Sequence, residues 1–350
     1  MSTKRKGAKP AKSSPARPAP ASADAAAPAS ADAAAPASAS PAKSATPAKH
    51  RSPNQIVADW WFAPAPAERL AAVRILVGTF AFCWVTFRLG EFWSVAKLPK
   101  AHFKPTGVVR VLDAPLSPDL VLVIGIATAV LLAAFVLGIL HRYLAPLAAL
   151  GLLWTLTYRN SWGMIFHTEN LLVLHVLVLA FTPSADAFAL ARRRDDAEAG
   201  YGWVLKLLLA ITVITYVLAG IAKLRIAGMA WLDGEQLRNQ IAVDNLRKAL
   251  LGDSIAPLAT PFLDHPSGFT VFSVMTIILE IGAVVALLHE RVGRWWALMA
   301  WGFHAGVVAL MNIWFPYPLL GLAYLPLLRA ERPFVWARAR WRKRRGMPSS

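Results

Sequence analysis

The chain has 350 residues, 56% of them hydrophobic and only 16% charged, with a mean hydropathy of +0.46. Soluble domains carry about 25% charge, so this composition excludes an ordinary soluble protein and points to a polytopic membrane protein. The formal net charge of +17 would suggest nucleic acid as a partner of a soluble chain, but much of the Lys and Arg lies in two tails, so no nucleic acid is expected and the charge reads as a topology signal facing anionic lipid in the bilayer.

Residues 1–53 are rich in Ala, Pro, Ser and Lys, and Ala-Ser-Ala-Asp-Ala-Ala-Ala-Pro occurs at both 21–28 and 29–36. Such a segment cannot bury enough surface to offset its ordering entropy and reads as a disordered basic tail, a solvated tether with a DNA-binding tail as the alternative. No apolar stretch follows its early basic residues, so it is not a signal peptide. Trp60, Trp61 and Phe62 then mark a membrane interface ahead of a first span at about 70–89, where Arg74 is placed to snorkel. After a loop at 90–118, a second span is expected at about 119–140, a tight turn at His141-Arg142, and a third span to about 157. The polar and aromatic connector Tyr158–Asn170 follows, with Thr168 as a plausible N-cap and Glu169 complementing the positive helix end. The fourth span is expected at about 169–187, followed by the charged loop Arg192–Asp196.

The fifth span is the apolar run Trp203–Ala222, 20 residues long and thus about 30 Å as a helix. The segment 224–268 contains a surface helix opening at Trp231-Leu232-Asp233-Gly234-Glu235, with an approximate apolar stripe of Leu237, Ile241, Leu246 and Leu250. Three more spans are expected at about 269–288, 295–312 and 315–328, the last short and holding Pro316, Pro318 and Pro326. The fold expected is therefore all-α: a polytopic bundle of about eight transmembrane helices over 54–330, between the tail 1–53 and a basic tail 331–350. Both tails are basic, so both should be cytoplasmic, which requires an even number of spans in a plasma or inner membrane. The single Cys83 can form no internal disulfide and no multi-cysteine metal site.

Tyr216, Gly220 and Lys223 fall at i, i+4 and i+7 and share one face of the fifth span. That face suits a pocket wall, whereas a lysine at a helix end can equally snorkel to the headgroups. Glu280 and His304 sit near the middles of the sixth and seventh spans, where an ionised acid costs about 2.5–3.5 kcal/mol, so each should face the bundle interior, in one layer, as a site or as a packing contact. His175 reads as a satisfied core histidine. The histidines lack the paired spacing of a zinc motif, so no metal is expected.

Tyr216-Val-Leu-Ala-Gly220-Ile-Ala-Lys223-Leu, followed by Trp231 and Gly234, resembles the core motif of the HTTM (horizontally transferred transmembrane) domain family, related to the membrane domain of vitamin K-dependent gamma-carboxylase. Phe303-His304 with Asn312 and Phe315 is similar to a later helix pair of that family, with extra residues between His and Asn, and Asn160 with His167 to a third block. The resemblance covers roughly residues 65–330. It implies Lys223 as the catalytic base, with His304 and His167 as further site residues, beside Glu280, which its depth in the sixth span makes a candidate. It also implies a quinone-like (vitamin K-like) lipophilic cofactor near Tyr216, Gly220 and Trp231. The chain runs about 22 residues past its last expected span, short of the large lumenal domain of the carboxylase. The resemblance thus implies a carboxylase-like or quinone-linked membrane enzyme, with a non-enzymatic accessory protein that keeps only the fold as the alternative; transport fits less well, since no internal repeat is evident.

Overall fold

A computed structural model of the chain describes residues 52–190 and 200–346. The expected tail, apart from Ser52 and Pro53, and the charged loop Arg192–Asp196 lie outside the described residues. Among the described residues the structure is all-helical, with fourteen α-helices. They are α1 (Pro53–Trp61), α2 (Ala67–Thr86), α3 (Leu89–Val95), α4 (Pro118–Leu137), α5 (His141–Asn160), α6 (Asn170–Ala180), α7 (Gly202–Ala227), α8 (Glu235–Leu250), α9 (Ala259–Leu263), α10 (Pro266–Ile281), α11 (Val285–Leu288), α12 (Glu290–Met311), α13 (Pro316–Leu319) and α14 (Arg332–Arg344).

Local chemistry sets several boundaries. Ser52 and Gln55 form a reciprocal capping box at the start of α1. Ser117 caps α4, with Pro118 in its first turn, and Gly138 ends it in the left-handed conformation. Glu169 accepts no capping bond; its carboxylate is used by Arg159 and Trp84 instead.

Four segments are long and apolar enough to cross a membrane: Ala67–Thr86, Pro118–Leu137, Gly202–Trp231 and Pro266–Leu288. The expected eight are not reached by that measure. Helix α5 is 20 residues and α12 is 22, but neither is apolar enough, and α6 has only 11 residues. The segment expected as a span at 315–328 is no continuous helix: its prolines cannot sustain one, and it forms α13 and a 3-10 turn at Leu322–Leu327. Its backbone nonetheless runs through the bundle interior, with Tyr317, Ala323 and Tyr324 buried, which is where irregular backbone is tolerated at membrane depth.

Helices α2, α4, α5, α6, α7 and the 322–327 turn share one core, and Ile241, Ala256, Ala259 and Phe269 form a smaller one beneath α8. The bundle has two distinct ends. At one, Trp60 donates to the Leu287 carbonyl (3.2 Å) and Arg69 pairs with Glu331 (3.1 Å). Arg74 does not snorkel there. It is fully buried and donates to the carbonyls of Ser184 (2.8 Å), Phe188 (2.8 Å) and Val136 (3.3 Å), oxygens that the end of α4 and the turns after α6 leave free. At the other end the 90–118 loop binds the connector through Lys104 N to Ser161 O (2.7 Å), and α8 docks on the end of α12.

Helix α8 occupies the segment expected for a surface helix, but its apolar residues divide. Ile241 packs inward with Leu237 against it, while Leu246 and Leu250 are exposed. The docking face is polar instead. Asn245 donates to the carbonyls of Ile241 (2.8 Å) and Leu310 (2.9 Å), and Lys248 is buried, bonding the Met311 carbonyl and Asp244.

Candidate functional site

The site is assembled on the last two turns of α7 and the buried face of α10. That face repeats at Phe269, Ser273, Thr276 and Glu280, the spacing of one helical stripe. Opposite Glu280, α7 presents Gly220. A Cβ there would lie 2.9 Å from the Ile281 side chain and 3.1 Å from Glu280 Cβ, so the helices approach closely only because this position has no side chain.

One turn further along α7, Lys223 Nζ forms an ion pair with Glu280 Oε1. The lysine side chain is 23% exposed and the glutamate 3%. The amine therefore stands at the mouth of a crevice whose acid lies inside. Trp231, buried, places its ring 5.5 Å from Nζ as a lid over the pair. The chain reaches it through the 3-10 turn Gly228–Trp231. The return is fixed by Gly234, which has φ +91° and whose Cβ would lie 2.4 Å from Thr270 N. Only glycine adopts that conformation without strain, so the Trp-x-x-Gly spacing locks the lid against the start of α10.

Two turns inward from Lys223, the Tyr216 hydroxyl bonds Nε2 of His304 (2.8 Å) and the Tyr324 hydroxyl (2.6 Å). Trp296 meets both tyrosine rings edge-on. Phe315 lies tilted against His304 with ring centroids 5.0 Å apart and reaches His167 at 6.0 Å, so His167 borders the assembly without touching the lysine. Several buried polar atoms have no partner: Glu280 Oε2, His304 Nδ1, Trp231 Nε1 and Ser273 Oγ. Buried polar groups are normally satisfied, but these four do not share one place: Ser273 lies two turns from Glu280 along α10, His304 joins α7 two turns from Lys223, and Glu169 Oε2 near the connector is unpartnered as well.

The structure thus brings together Lys223, Glu280, Gly220 and Trp231, and sets Tyr216 with His304 deeper in the same helix pair. Glu280 and His304 do not bond each other; each attaches to α7, about two turns apart. Sequence reasoning missed Tyr324, Trp296 and Ser273. Ser273 was legible, since it lies seven residues before Glu280 on one helical face. Tyr324 was not, because it sits in a 3-10 turn without regular periodicity. His175 has both ring nitrogens bonded, Nδ1 to the Tyr317 hydroxyl (2.6 Å) and Nε2 to the Leu208 carbonyl (3.1 Å), and serves packing. Among the described residues no cluster of three metal-ligating side chains occurs.

Arg159 makes a second buried charge group near the connector. It pairs with Glu91 and with Glu169 (2.9 Å), Trp84 also donates to Glu169 (2.9 Å), and Arg88 lies 3.3 Å over the Trp84 ring.

The family described as "HTTM domain" matches residues 62–331. None of the curated proteins and none of the solved structures matches the chain.

Proposed function

The chain belongs to the HTTM domain family, and from that premise we propose a membrane enzyme in which Lys223 takes a proton from a lipophilic, quinone-like ligand. The observation that carries the proposal is the Lys223–Glu280 pair at the crevice mouth, with the second carboxylate oxygen unbonded. The pair can hold its proton as ammonium and carboxylate or as amine and carboxylic acid. The second form presents a neutral amine, the state a general base needs. Gly220 leaves no room for a ring, since a methyl there already meets Ile281 and Glu280, so the apolar ring system would lie against Trp231 on the exposed side of Lys223, and Glu280 Oε2 would receive a polar substituent.

The reading includes the topology. All passes of the chain through the bundle, about eight, would cross the bilayer of a plasma or inner membrane, with α1 and α14 on the cytoplasmic side. Counting described residues up to and beyond each helix end, the end bearing α1 and α14 carries fourteen Lys and Arg against five Asp and Glu, while the crevice end is near balance, as positive-inside topology requires. The crevice would then open on the outer face.

A second reading is a binding or accessory protein that keeps the fold without chemistry. Lys223 favours it in one respect: the amine already has a complete ion-pair partner. Extraction of the purified protein with organic solvent separates the two. Copurified quinone at near-stoichiometric amounts in the wild type supports the first, and its absence supports the second. Lys223→Arg then refines the answer. Arginine keeps the ion pair but cannot be deprotonated, so loss of function with normal folding supports a base, and full function in a well-expressed variant ends that reading.

A further inference from the structure

Helix α14 follows the last pass and carries Arg332, Arg338, Arg340, Arg342, Lys343 and Arg344, with no acid among its residues. Glu331, the acid just before it, is taken up by Arg69. This pairing fixes the start of the helix against α2. Phe334, one turn on, packs against the core and meets Phe188 at 5.7 Å. The helix is therefore held to one end of the bundle along the face of Glu331, Phe334, Arg338 and Arg342, and the opposite face is exposed.

That open surface is both cationic and aromatic. Trp336 is 60% exposed and Trp341 49%, with Val335 exposed beside them. Arg340 lies 4.8 Å over the Trp336 ring and Arg345 4.4 Å over the Trp341 ring. Exposed indoles have little reason to persist in water, but they suit a bilayer interface, where the ring lies among the glycerol groups and an arginine above it reaches phosphate. Charge supplies the complement. Among the described residues the same end has more Lys and Arg than Asp and Glu.

We infer that α14 is an interfacial helix that docks on anionic lipid headgroups, inserting Trp336 and Trp341 while Arg340, Lys343, Arg344 and Arg345 bind phosphate. The inference rests on the membrane embedding proposed above and adds a lipid preference to it. The docking fixes the bundle's depth at the end opposite the crevice.

The test uses the full chain in phosphatidylcholine nanodiscs containing equal fractions of either brominated phosphatidylglycerol or brominated phosphatidylcholine. The α14 signal is the tryptophan fluorescence of the wild type minus that of Trp336→Phe/Trp341→Phe. Quenching of this signal at least twofold stronger by the brominated anionic lipid is expected. It should fall to the phosphatidylcholine level in Arg340→Gln/Lys343→Gln/Arg344→Gln. Equal quenching by the two lipids overturns the inference, as does no quenching of α14 while the other tryptophans are quenched. Loss of the anionic-lipid quenching when a DNA duplex is added overturns it in favour of nucleic acid. If none of the 14 tryptophans is quenched by either lipid, the membrane embedding itself fails, a result distinct from the others.

Discussion

Among the described residues two ion-pair groups hold an almost fully buried glutamate, Glu169 and Glu280, and they are built differently. At the connector, Arg159 is held by two carboxylates, Glu91 and Glu169, and Glu169 is also bonded by Trp84. At the crevice, Lys223 has one carboxylate, Glu280; the second oxygen of Glu280, like that of Glu169, is unbonded, so the difference lies in the cation and in how many carboxylates hold it. Arginine is charged under all conditions and its planar fork suits fixed, multiple contacts. Lysine is a compact head that can lose its proton. The comparison teaches that burial of a charge pair does not by itself mark a functional site; what differs between the two is the head group and the number of its carboxylate partners.

The largest effect that tests this contrast is on folding. Arg159→Ala strands the buried Glu169 and should cost about 3–5 kcal/mol, with a matching fall in the thermal midpoint of the detergent-solubilised protein. Lys223→Arg should change the stability by less than about 1 kcal/mol and move the midpoint correspondingly little, because the ion pair survives. If Lys223→Arg destabilises as much as Arg159→Ala, both groups are clamps and the contrast disappears.

The next effect concerns how the crevice is shaped. Gly220→Ala drives a methyl against Ile281 and Glu280 and should cost about 1–3 kcal/mol while separating α7 from α10. Hydrogen exchange should then speed up in α10 and stay unchanged in α5. A change confined to α5 would show that Gly220 does not set the crevice.

Smaller still is the inner tyrosine pair. Tyr324→Phe removes the bond to the Tyr216 hydroxyl and should cost about 1 kcal/mol in thermal unfolding, with the backbone preserved. A cost near zero would mean that the two hydroxyls are held by geometry and not by a bond.

The smallest effect lies at α8, which covers the same end as the crevice. Burial raises the Asp244 pKa, but the hydrogen bonds from Lys248 and Arg247 outweigh it and leave the carboxyl below its ordinary value. Its contribution is thus present above the unfolded pKa of about 3.9 and lost as pH falls through the lower folded value. Hydrogen exchange in α8 should accelerate below about pH 4 relative to Asp244→Asn, whose exchange should lack that acid step. An identical acid step in both would assign it to another group.

How much of this was legible in the sequence depends on regularity. The all-helical class and four of the eight expected apolar spans followed from hydropathy, and the shared face of Tyr216, Gly220 and Lys223 from a 3.6-residue period. Residue types also pointed to Glu280 and His304, because acids and histidines in apolar runs are conspicuous. What periodicity cannot give is which side chain meets which across helices, so the Lys223–Glu280 pair itself was not foreseen. Arg74 was misread because its partners are backbone carbonyls of distant turns, which leave no mark on composition. The broken pass through Tyr317 and Tyr324 was misread as a helix because apolar content outweighed three prolines.

The central claim is that Lys223 accepts a proton from a lipophilic ligand while Arg159 cannot. The most direct measurement adds a reduced naphthoquinone, kept anaerobic, to the protein in nanodiscs and follows the ultraviolet difference spectrum of its mono-anion at neutral pH. The account predicts a saturable anion band with the wild type and with Arg159→Lys, and none with Lys223→Arg although the hydroquinone still binds. An equal band with Lys223→Arg would contradict it.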